Sequence, residues 1–132
     1  MKRSIHAFGL ILAMILMGAG AAPVLAHHSF SAEFNPDLPA EVTGALTKIE
    51  WVNPHVQFYM DVKGQNGEVE HWKVESGPTI HFHAAHLRED MFPVGQILHM
   101  HVFMAKDGTK HFASMKDVTF VGGPYDGKTY EF

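Results

Sequence analysis

Histidine is the versatile residue this chain holds in quantity: eleven of them in 132 residues, and no cysteine. Neutral imidazole binds first-row transition metals well, and it titrates near a pKa of about 6.5. His27 and His28 stand together, and Pro23-Val24-Leu25-Ala26 before them places Val24 and Ala26 at the small-residue positions of an export cleavage site. A cut there leaves a free amine on His27. That amine has an ordinary pKa of about 7.7–8, so it is available as a ligand near neutral pH. With Nδ1 of the same residue it can close a chelate ring on one metal ion. One further imidazole completes a T-shaped, three-nitrogen clasp of the histidine-brace type, an arrangement that favours Cu(II). His28 is one source of that third nitrogen; His55, after the Asn53-Pro54 turn, is the other. The competing expectation is a frayed, solvated chain end.

A second group is His99 and His101, two apart on an expected strand and therefore on one face. His111 on the next strand could lie opposite them, and His71 could join. Ile97 and Phe103 share that face, so these histidines could equally be fillers at a barrel surface. His81, His83 and His86 fall on an expected helix, where only His83 and His86 share a side. The methionines after the leader (Met60, Met91, Met100, Met104 and Met115) read as core filler rather than Cu(I) ligands. Enzyme signatures are missing: no nucleophile elbow, no His-Glu-x-x-His, no phosphate-binding glycine loop and no paired carboxylates. Tyr59 and Trp72, with Trp51 nearby, could line a ligand groove, although aromatic residues in strands more often pack.

The elements that would position these groups begin after a leader. Lys2 and Arg3, an apolar run from Ala7 to Ala22 and the small residues to Ala26 read as a secretory signal peptide over 1–26. The run is shorter than the roughly 20 residues that span a bilayer. Removing Lys2 and Arg3 lowers Lys plus Arg from 10 to 8 against 14 acidic residues, a net charge of about −6. Such a domain lacks the basic footprint that nucleic acid requires. The remaining length suits one domain with one core.

Residues 27–39 read as an extended arm with turns, and 40–132 as the folded domain. Glu41 to Trp51 suits a first strand, in which Gly44 marks a bulge or tight bend. Val56, Phe58, Met60 and Val62 alternate with polar residues, the period of a half-buried strand, and a Gly-Gln-Asn-Gly turn leads to a partner over Glu68 to Glu75. Thr79 to Asp90 has helical composition, with Ile80, His83, Ala84 and Leu87 on one face. Gln96 to Met104 and His111 to Val121 complete five strands, leaving Lys128 to Phe132 as a tail. An all-β domain with one short helix between strands three and four has the element order of a small five-stranded OB-like barrel. A curved open sheet with a helix across one end would read alike.

His27-His28-Ser29-Phe30, Trp51-Val52-Asn53-Pro54-His55 and the Lys106-Asp107-Gly108 turn together resemble a family of small exported bacterial proteins of unknown function. Its members open with His-His-Ser-Phe and carry Trp-x-Asn-Pro-His after the first strand. The resemblance implies that His27, His28 and His55 form the family-type polar set. The histidines at 81, 83, 86, 99, 101 and 111 depart from the pattern. The expectation is a periplasmic, non-enzymatic domain that binds a transition metal, copper first, for buffering or delivery. The alternatives are a module for a small ligand or envelope protein, and a copper-dependent oxidoreductase.

Overall fold

Alternating burial builds the sheet. In the computed structural model, which describes residues 29–132, Phe58 and Met60 turn inward while Gln57 and Tyr59 face outward. The leader read over 1–26, His27 and His28 lie outside the described residues. A one-turn helix α1 (Phe30–Glu33) leads into β1 (Phe34–Glu50), followed by β2 (Gln57–Lys63), β3 (Val69–Glu75), α2 (Thr79–Ala84), a 3-10 turn (Glu89–Met91), β4 (Ile97–Ala105), β5 (Phe112–Val121) and β6 (Thr129–Glu131).

The sheet order is β3-β2-β1-β4-β5-β6, with antiparallel neighbours throughout. A parallel pairing of β3 with β5, at Lys73↔Phe112, Val74↔Ala113 and Glu75↔Ser114, closes the first five strands into a ring. With α2 between β3 and β4, this is the OB-like barrel, and the open-sheet alternative falls away. Closure leaves few unpaired edges.

β1 is long because it serves two partners, β4 along its first part and β2 along its second. Gly44 belongs to both ladders, and a Cβ there would stand 2.5 Å from the Asp61 carbonyl oxygen, so the bend requires glycine. Inside the ring lie Val42, Leu46, Met60, Leu98, Met100 and Val118; Phe58, Phe82, Phe92 and Phe120 close one end.

Three boundaries differ from the sequence reading. β1 takes in residues 34–39 of the extended arm. The tail holds β6, which pairs Asp117↔Glu131, Val118↔Tyr130 and Thr119↔Thr129. The helix stops at Ala84, and its buried side chain is Phe82, while Ile80, His83 and Ala84 are exposed. The stop has a clear cause. His86 adopts φ 59°, its N–H donates to the His83 carbonyl, and the Leu87 N–H donates to the Phe82 carbonyl. This is the Schellman closure, with buried Leu87 brought back onto buried Phe82.

Candidate functional site

The Trp51–His55 segment is anchored by its own side chains. Trp51 packs edge-on against Phe82, ring centroids 4.9 Å apart, and so ties the end of β1 to α2. Asn53 Oδ1 accepts hydrogen bonds from the Thr79 N–H and the Thr79 hydroxyl, both at 3.0 Å. It thereby satisfies a helix-start N–H that α2's own preceding residue, Pro78, does not cap. The loop is fixed at both ends, and His55 follows directly.

His55 Nδ1 lies 2.9 Å from the Ser76 carbonyl oxygen and 3.3 Å from Glu75 Oε1. A carbonyl only accepts, so Nδ1 carries a proton, and in the neutral ring the lone pair falls on Nε2. Fixing the tautomer through the second ring nitrogen is what metal-ligating histidines generally require. His55 lines a cavity of about 360 Å³ together with Phe30, Glu75, Ser76, His81 and Lys116, among others. The Ser76 hydroxyl is buried there and has no hydrogen-bond partner among the described residues. Gly77 gives His81 room, since a Cβ at that position would stand 2.7 Å from His81 Nδ1.

A separate cluster forms on the outer face of β1 and β4. Leu98, Met100 and Val102 point inward, so His99 and His101 point out. Register sets Glu41 and Asp117 on either side of His101, and Thr43 beside His99. His101 Nδ1 lies 2.7 Å from Asp117 Oδ1, and its Nε2 lies 3.5 Å from Glu41 Oε1. The Asp117 hydrogen bond, helped by that carboxylate's charge, raises the His101 pKa above the ordinary histidine value. His99 Nδ1 lies 2.7 Å from the Thr43 hydroxyl. One ligand atom each from Glu41, His99 and His101 fall within 4.8 Å of one another, a grouping able to hold a metal ion.

The other nominated residues are placed apart. His111 sits at the β3–β5 seam, its ring 5.2 Å from Trp72 and its Nε2 3.4 Å from Glu70. Eight residues along the chain separate it from Thr119, the partner of His99, about 26 Å at strand rise. His71 pairs with Asp61 at 2.7 Å on the exposed surface. His83 and His86 border a shallow depression with Arg88, but the left-handed turn at His86 takes them off any common helical side. Tyr59 pairs with Lys73 and Trp72 with Met60 on neighbouring strands, and both line a depression of about 320 Å³ with Thr47, Asp61 and His71. Burial, followed by its bond to Glu50, raises the Tyr59 pKa, and its hydroxyl is occupied by Glu50 and Gln57. Glu41, Thr43 and Asp117 went unnominated from sequence. Asp117 is buried on β5, whose other buried residues are apolar, but the neighbouring Lys116, Ser114 and Thr119 hide that contrast in the sequence.

A family model matches residues 15–114, which include both the His27–Phe30 and Trp51–His55 stretches. The chain belongs to DUF6152, a family of unknown function. No curated protein matches this DUF6152 member. Among solved structures it is similar to the mitochondrial single-stranded DNA binding protein Rim1 of S. cerevisiae, at 11% identity and TM-score 0.46, covering 71% of this chain and 98% of that one. A selenomethionine form of Rim1 gives 14% identity and TM-score 0.46, covering 65% and 96%. The ZRD-deleted mutant of TiaS in complex with agmatine gives 17% identity and TM-score 0.48, covering 70% of this chain and 25% of that one.

Proposed function

We propose that this DUF6152 protein is exported to the periplasm, cut before His27, and serves there as a non-enzymatic copper-binding domain for buffering or delivery. The amine and imidazole of His27 supply two nitrogens, and His55 the third, with His28 as the other candidate. The observation that carries this reading is His55 itself: Nδ1 is held by the Ser76 carbonyl, and the residue lines a cavity that Phe30 also lines. His28 precedes Phe30 by two residues, a reach of at most about 7 Å. DNA binding is not carried over from the solved structures, because the full chain is acidic, at −4, and phosphate binding needs the opposite balance. A module for a small ligand at Tyr59 and Trp72 stays the second reading, since both residues line one cavity of about 320 Å³.

The test is a Cu(II) titration, under a competing chelator, of protein made with an authentic His27 terminus. Acetylating the His27 amine removes that nitrogen without creating a new chelating terminus, and is expected to weaken binding more than tenfold. His55→Ala is expected to alter the nitrogen couplings in the electron paramagnetic resonance spectrum. Equal binding with and without the acetyl group would defeat the proposal.

A further inference from the structure

We infer a second metal site, on the outer face of β1 and β4, where Glu41, His99 and His101 take one borderline divalent cation such as Zn(II). It shares no residue with the His55 cavity and does not need the processed terminus.

The donor set selects the class of ion. Two imidazole nitrogens and one carboxylate oxygen suit zinc and its neighbours, while calcium and magnesium require nearly all-oxygen shells. Tetrahedral ligands at zinc distances stand about 3.3 Å apart. The 3.5 Å between His101 Nε2 and Glu41 Oε1 is close to that already. The remaining separations lie within 4.8 Å, so small side-chain rotations bring the three atoms onto one ion.

What separates this cluster from a chance gathering of surface groups is how its histidines are held. His101 has Asp117 behind it, a carboxylate whose side chain is only 8% exposed. A register shift in the β4–β5 ladder between His101 and Val102 aims Asp117 at that ring, and β6 covers it. A buried carboxylate persists when paired; the pairing fixes Nδ1 as the protonated nitrogen of His101 and leaves Nε2 for a ligand. Thr43 can do the same for His99. The two rings stand nearly perpendicular, at 85°, with centroids 5.1 Å apart. Both are borne on a strand paired along both edges, so the nitrogens need little ordering on binding. Three protein ligands leave a fourth position facing solvent, as Glu41 and His101 are 68% and 46% exposed.

The experiment is a Zn(II) titration of a His27→Ala, His28→Ala protein, followed through the imidazole resonances of His99 and His101. One saturable equivalent is expected, with both rings responding together. Glu41→Gln is expected to raise the dissociation constant at least tenfold, and His99→Ala to abolish the response at His101. Both substitutions lie on the outer face, and an unchanged amide spectrum confirms the fold. No response at His99 and His101 at millimolar Zn(II), or equal affinity in Glu41→Gln, would overturn the site. Failure of the copper clasp at the processed terminus leaves this result untouched, and the reverse holds too.

Discussion

Asp117 shows how one side chain sets the character of a surface. It is 6% exposed on a strand otherwise buried through apolar residues, and His101 stands directly across the ladder. The groups facing His101 are Asp117 and Glu41, which favour its charged form, Lys116, which opposes it, and the His99 ring at 5.1 Å; Glu131 stands opposite Asp117 on β6. Because the folded pKa of His101 lies above its unfolded value, the pair's stabilisation is fully present below about pH 6.5 and fades as pH rises through the raised value. In the metal-free protein, the His101 titration midpoint is therefore expected above that of a free histidine. In Asp117→Asn it is expected to fall toward the ordinary value. The loss of melting temperature caused by that substitution should be largest at acidic pH and shrink as pH rises. A midpoint unmoved by Asp117→Asn would mean that the carboxylate does not hold the imidazolium.

Among the elements, α2 tests how far local pattern reaches. The spacing of Ile80, His83, Ala84 and Leu87 reads as one helical face, but closure at His86 turns the chain after six residues. Helical composition was legible there, while the left-handed turn was not, because histidine carries no glycine-like signal for positive φ. Substituting His86→Gly is expected to stabilise the protein by about 1 kcal/mol, since a Cβ in the left-handed region is strained by roughly that amount. Urea unfolding checks this, and a lower midpoint would show that His86 contributes contacts beyond its backbone. The alternation of Val56, Phe58 and Met60 gave β2 directly, since a strand with one buried face writes its period into the sequence. His99 and His101 could be placed on a common face for the same reason. Their partners could not: Glu41 and Asp117 meet His101 only through strand register, 60 residues away on one side and 16 on the other. Register between distant strands depends on turns and bulges that no local window contains.

At the scale of the whole molecule, the ring of five strands is complete without β6, yet β6 joins the two parts that matter most to the outer site and to the core. Its three residues pair with β5 over Asp117 to Thr119, and the hydroxyls of Thr119 and Thr129 meet at 2.7 Å. Phe132 then donates its N–H to the Lys116 carbonyl and lays its ring 4.3 Å from Phe82. Removing residues 129–132 should leave the barrel closed, because the β3–β5 seam does not involve them. It should also uncover the Phe82 end of the core, at a cost of about 2 kcal/mol for the lost aromatic burial. Asp117 would then stand in water, where its bond to His101 is screened. The truncated protein is therefore expected to show a lower urea midpoint and a lower His101 titration midpoint together. A change in stability with the His101 midpoint unmoved would make β6 a cover for Phe82 alone. A joint change makes the last four residues the link between the hydrophobic interior and the chemistry on the outer face.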